Sequence, residues 1–120
     1  MAPHPSILIV DDERQIRSLL SATFTRAGFQ VTTASSGRDA VACCSCQPFD
    51  VVLSDVRMPE MDGHELVSWI AAHRPQTRTL LMSGYDAKRV DCGSSPECLL
   101  IAKPFKPSEV VDAVNHALVA

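Results

Sequence analysis

Five polar residues stand where the chain's apolar runs end. Asp11 and Asp12 follow Ser6–Val10, Asp55 follows Asp50–Ser54, Ser83 follows Thr79–Met82 and Lys103 follows Leu99–Ala102. Carboxylates brought together repel one another unless a cation offsets them. Oxygen-only donors select a hard ion, and Mg²⁺ takes one or two carboxylates together with waters and phosphate oxygens. An ammonium from Lys103 can pair with a phosphoryl oxygen, and the Ser83 hydroxyl can donate to the same group. This set suits phosphoryl transfer, in which catalysis is mostly positioning and charge neutralisation. Asp55 is the nucleophile such chemistry selects, because it stands alone at the end of an apolar run and a carboxylate can form an aspartyl phosphate. Asp11 and Asp12 are better placed as metal ligands, with the Arg57 backbone carbonyl as a further one.

Taken singly, each residue has an ordinary reading. An acidic pair after a strand is often a solvated loop, and Asp12 could cap the following helix. A lone Asp is usually a turn residue, and a Lys before Pro usually lies at the surface. The argument rests on their joint placement at four strand ends, which requires one sheet edge to collect them.

The pattern of the chain supplies that edge. Ser6–Val10 is a β-branched apolar run, and from Glu13 the period changes. Ile16, Leu19, Leu20, Thr23, Phe24 and Ala27 then fall on one face of a helix, with Gly28 as its stop. Gln30–Ala34 reads as a second strand, and Ser36 caps a helix running to Cys46, before Pro48. Asp50–Ser54 is nearly continuous in apolar residues, as when both faces of a parallel strand are covered.

A loop from Met58 to Gly63 leads to a helix with Leu66, Val67, Ile70 and Ala71 on its apolar side, stopped by Pro75. Thr79–Met82 and Leu99–Ala102 are the fourth and fifth strands, and Pro107 opens a last helix. Between them, Gly93–Pro96 interrupts the segment Tyr85–Glu97, leaving room for only a short helix over 86–91. Strands alternating with helices imply right-handed βαβ units and a parallel sheet covered on both faces. In such sheets ligands bind beyond the carboxyl ends of the strands.

Composition narrows the function classes. The 120 residues are one domain's worth, 46% apolar and 21% charged. A net charge of −3 argues against a domain built to hold nucleic-acid phosphates. No apolar run approaches the ~20 residues that span a bilayer. Met1–Ser6 carries no basic n-region, so a cytoplasmic location is expected, with no membrane partner. Cys43 and Cys46 form a C-x-x-C, a spacing used by redox and zinc sites, but no second pair completes a zinc site. Small residues on a helix are the favoured reading.

These residues carry a family likeness. Along essentially its whole length the sequence resembles the receiver (response regulator) domain of two-component signalling. The likeness lies in Ile7-Leu8-Ile9-Val10-Asp11-Asp12-Glu13, Val52-Leu53-Ser54-Asp55-Val56-Arg57-Met58-Pro59-Glu60-Met61-Asp62-Gly63, Leu81-Met82-Ser83-Gly84-Tyr85 and Lys103-Pro104-Phe105. It implies a single-domain flavodoxin-like (βα)5 fold, an α/β architecture whose five-stranded parallel sheet has the order 2-1-3-4-5. The receiver would occupy 1–120, core about 5–119, with no output domain in the chain.

The resemblance implies that Asp55 accepts a phosphoryl group from a sensor histidine kinase or a histidine phosphotransfer protein. Asp11, Asp12, Asp55 and the Arg57 carbonyl would hold Mg²⁺, Lys103 would contact the phosphoryl oxygens, and Ser83 would shift inward to bond them. A cis Lys103–Pro104 peptide is also implied. The surface offered to an output domain or partner would be the face around strand five and the last helix. Arg57 and Tyr85 occupy positions that in this family flank the path of the hydrolytic water, so they are expected to set the phosphate's lifetime.

Leu100 stands where receivers often carry a Tyr or Phe coupled to the hydroxyl residue, a departure from the pattern. Three other readings compete. A haloacid-dehalogenase-type phosphatase needs a second Asp two residues after the nucleophile, where this chain has Arg57. A receiver-like binding module would keep the fold without being phosphorylated. A redox or metal role for Cys43 and Cys46 is the third.

Overall fold

The computed structural model describes residues 4–83, 99–102 and 106–119. The elements run β1 (Ser6–Val10), α1 (Arg14–Arg26), β2 (Gln30–Ala34), α2 (Gly37–Cys46), β3 (Val51–Asp55), α3 (Gly63–His73), β4 (Arg78–Ser83), β5 (Leu99–Ala102) and α4 (Pro107–Val119). The strands pair in parallel in the order β2-β1-β3-β4-β5. The short helix expected over 86–91 lies outside the described residues.

Alternation along the strands divides the core into two layers. Ile7, Ile9, Val51, Leu53, Leu80 and Met82 pack with Leu20 and Phe24 of α1 and Val110 and Val114 of α4. Leu8, Val10 and Val52 face the other way, toward Ala40 and Cys44 of α2 and Leu66 and Ile70 of α3. Each central strand therefore buries both faces, which is why its sequence reads as an unbroken apolar run. β2, at the edge, is less buried and more polar.

Local rules explain most boundaries. The Ser36 side chain accepts the Asp39 N–H at 3.1 Å, capping α2 as its sequence predicts. Gly28, at φ +93°, takes the left-handed conformation that ends α1.

Two helical faces differ from expectation. Leu19 is 45% exposed, because α1 turns Ile16, Leu20 and Phe24 inward and leaves Leu19 beside that stripe. Ala71 is exposed, and Trp69 instead lies half-buried against the α2–α3 core. Trp69 also stacks on His73 one turn along, with ring centroids 4.3 Å apart. The third strand is shifted by one residue, ending at Asp55 rather than Ser54. Asp50 stands before it and accepts the Ser6 N–H at 2.8 Å, tying the amino ends of β1 and β3 together.

Candidate functional site

Register brings the predicted residues to one edge. Val10 pairs with Ser54, which pairs with Leu81, so the residues after β1 and at the ends of β3 and β4 emerge side by side. Asp55 is opposite Met82, and Ser83 follows Met82 and pairs with Ala102.

Asp11 extends the β1 ladder by one step, its N–H bonding the Ala34 carbonyl at 3.2 Å. Its side chain accepts the Glu13 N–H at 2.8 Å, and its carbonyl accepts from Arg17 Nη1 at 2.7 Å. Asp11 is thus fixed on both sides while fully buried. Glu13, not Asp12, occupies the N-cap position of α1, and it makes no side-chain cap bond. The helix-cap role weighed for Asp12 is therefore not the one it plays. Asp12 is exposed, next to the buried Asp11.

Asp11, Asp12 and Asp55 each offer a carboxylate oxygen, and these oxygens lie within 4.8 Å of one another. Asp55 and Ser83 are each only 6% exposed. Among the described residues no other cluster of His, Cys, Asp or Glu has such geometry. Two oxygens sharing one Mg²⁺ with bonds of about 2.0–2.1 Å stand roughly 2.9–4.2 Å apart, so a small closure suits this donor set to that ion. Its all-oxygen character excludes a soft-metal preference.

The loop after Asp55 is built to a close tolerance. Val56 N–H bonds the Met82 carbonyl at 2.9 Å, continuing the β3–β4 ladder, and Gly63 N–H returns to the Val56 carbonyl at 2.9 Å. Asp62 and Glu65 form a reciprocal capping box at the start of α3, the Asp62 side chain accepting the Glu65 N–H at 2.9 Å. Asp62-Gly63-His64-Glu65 displays the spacing of this device in the sequence. Arg57 is exposed and lines an open cleft of about 550 Å³ with Asp12, Val56, Met58, Pro59 and Asp62. Lys103, Tyr85 and the Lys103–Pro104 peptide lie outside the described residues; Lys103 follows directly on Ala102, the last residue of β5. Cys43, Cys44 and Cys46 are free thiols on α2, and none of them belongs to the carboxylate cluster.

The response regulator receiver domain family matches residues 7–115 of the sequence. The chain belongs to that family. The receiver domain is 37% identical over 117 residues to the regulatory protein AtoC of Escherichia coli, covering 93% of this chain and 25% of that protein. It spans about a quarter of the length of the curated relatives it matches first. Among solved structures it is similar to the chemotaxis response regulator CheY4 of Vibrio cholerae, with a TM-score of 0.85, 31% identity and coverage of 95% and 98% of the two chains. It is also similar to a response regulator receiver protein from Sinorhizobium medicae, with a TM-score of 0.90, 28% identity and coverage of 98% and 96%. The receiver domain is thus a two-component response regulator module. No helix among its described residues is long and apolar enough to cross a membrane.

Proposed function

We propose that this receiver is a phosphoacceptor that takes a phosphoryl group on Asp55 from a histidine kinase or phosphotransfer protein and passes the change to a partner or output domain. The observation that carries the reading is the carboxylate cluster of Asp11, Asp12 and Asp55 at the carboxyl edge of the sheet. An Asp55 carboxylate oxygen attacks phosphorus in line. The bond from phosphorus to the donor's imidazole nitrogen breaks, that nitrogen keeps the electron pair and takes a proton, and an acyl phosphate remains on Asp55.

Asp11, Asp12, Asp55 and the Arg57 carbonyl would hold Mg²⁺, which when bound neutralises phosphoryl charge. Burial keeps Asp55 directed to the edge, and Asp11 is fixed by the Glu13 N–H and Arg17. Lys103 supplies a cation and Ser83 a hydroxyl to the phosphoryl oxygens. The acyl phosphate carries about −1.5 to −2 charges where the carboxylate carried −1, and it brings strong acceptors, so Ser83 and Lys103 are drawn inward and the face around β5 and α4 is re-presented. On this reading the receiver acts as a signalling module in the cytoplasm rather than as a turnover enzyme.

The test is intact mass after incubation with Mg²⁺ and acetyl phosphate, beside Asp55→Asn. Gain of one phosphoryl group by the wild type alone is expected. If neither protein gains mass, while a cognate-type phosphohistidine donor also fails, the binding-module reading replaces this one.

A further inference from the structure

We propose that Gly37 is a positioning residue for the loop that carries the Arg57 carbonyl to the metal site. The inference rests on the Mg²⁺ reading above and extends it to a residue on a different element.

Gly37 is the buried first residue of α2. A methyl group built on it would stand 2.7 Å from Met61 Cγ, 2.8 Å from Met61 Cβ and 2.8 Å from the Met61 carbonyl oxygen. Cγ can swing away with a rotamer change, but Cβ and the carbonyl oxygen move only with the backbone. A side chain at position 37 must therefore displace the loop itself. Gly37 cannot easily retreat, because Ser36 caps α2 through the Asp39 N–H at 3.1 Å.

The loop is held in an unusual shape where Gly37 meets it. Glu60 has φ +69°, a left-handed conformation that costs a non-glycine residue. Met61 N–H bonds the Pro59 carbonyl at 2.8 Å, making a tight turn. Arg38, next to Gly37, pairs with Glu60 at 3.7 Å, a solvent-exposed pair that orients more than it stabilises. Both loop ends are tied, at Val56 to β4 and at Gly63 to Val56. The middle of the loop, after Arg57, is seated in the notch that the missing Gly37 side chain leaves. Loss of that seat shifts the backbone presenting the Arg57 carbonyl, while Asp55 stays on β3 and Asp11 and Asp12 stay at the end of β1.

The experiment is calorimetric titration of the phosphate-free domain with MgCl₂, comparing wild type, Gly37→Ala, Met61→Ala and Val114→Ala. Val114 is fully buried in the layer on the other face of the sheet, so its truncation lowers thermal stability without touching the loop. Gly37→Ala is expected to weaken Mg²⁺ binding roughly tenfold, as supporting groups around a metal site typically do when lost. Met61→Ala, which strips Cγ from the notch and leaves only Cβ and the carbonyl oxygen seated against Gly37, weakens it roughly two- to threefold, and Val114→Ala leaves it unchanged. If Gly37→Ala does not fold, Met61→Ala decides: binding equal to wild type overturns the inference. A wild type that takes no Mg²⁺ overturns the metal-site reading and this inference with it. A wild type that binds beside loop variants that bind equally well overturns this inference alone.

Discussion

Gly63 packs so tightly against Asp55 that a methyl group on it would stand 2.6 Å from the Asp55 carbonyl oxygen. The same methyl would meet Val56 Cα at 2.9 Å and Leu81 Cδ2 at 2.8 Å. Two of the three neighbours are backbone, so no rotamer change relieves the clash. We expect Gly63→Ala to destabilise the domain by about 1–3 kcal/mol, the range of overpacked cores. It should also disturb the carboxylate site, because the strained group is the peptide of the proposed phosphoacceptor. Urea unfolding and acetyl phosphate labelling check the two effects; a variant with wild-type midpoint and labelling rate would show that the loop yields freely.

That contact illustrates which part of the molecule is legible in its sequence. Strands β1 and β3 are readable because burial on both faces leaves an unbroken apolar run. The site acids are readable because each follows such a run. Leu19 and Ala71 are misread because helical periodicity defines a stripe but not its width, and the width is set by what packs opposite. Gly37 and Gly63 carry no periodic signal, since their importance lies in the missing atom and in a neighbour distant in sequence. The capping box at Asp62 and Glu65 has a local signal, an Asp followed three residues later by a Glu at the start of a helix.

The carboxylate cluster predicts opposite signs for stability and binding. Asp12 is the exposed member, so it adds to the repulsion while contributing little packing. Two unit charges about 5 Å apart repel by up to roughly 3 kcal/mol at an effective dielectric near 20, and less where water screens them. Asp12→Asn should therefore raise stability in chelator-treated buffer by about 0.5–1 kcal/mol after that screening. Mg²⁺ should raise the wild-type Tm clearly and that of Asp12→Asn much less. Thermal melts with EDTA and with MgCl₂ read both quantities. A variant less stable than wild type without metal would show that Asp12 is not held in a repulsive cluster.

Alkaline pH should weaken the fold through two thiols. Burial raises the Cys43 thiol above its usual value, with Asp39 and Cys46 adding to the effect. Burial also raises Cys44, helped by Cys43 and opposed by Arg74. The folded state thus holds these protons more tightly than the unfolded chain does. Their contribution is complete below the unfolded thiol pKa of about 8.5 and is lost as pH rises through the higher folded values. Urea midpoints should fall as pH rises above about 8.5, and Cys44→Ala should flatten that fall relative to wild type. An equal slope in both proteins would assign the alkaline loss to other groups.

The lifetime of the proposed acyl phosphate depends on how water reaches it. Arg57 is exposed and lines the open cleft shared by Asp12, Val56, Met58, Pro59 and Asp62, beside the carboxylate cluster. We propose that this long guanidinium-bearing side chain covers the approach to the phosphorylated Asp55 and holds phosphoryl oxygens with its charge. Tyr85, two residues beyond Ser83, is the second residue we propose to set the lifetime. Arg57→Ala and Tyr85→Ala should each shorten the phosphorylated half-life by roughly two- to tenfold, of the order expected when one positioned group that shapes attack is removed. The double variant should be shorter-lived still. Arg57→Lys separates the two contributions of Arg57, since it keeps charge and length but loses the planar fork. Recovery by Lys points to coverage and charge, and failure to recover points to bidentate contact. The measurement is decay of the phosphorylated mass peak after donor removal, with Mg²⁺ held saturating so that altered metal binding does not enter. Half-lives unchanged in both single variants would place Arg57 and Tyr85 away from the water's path.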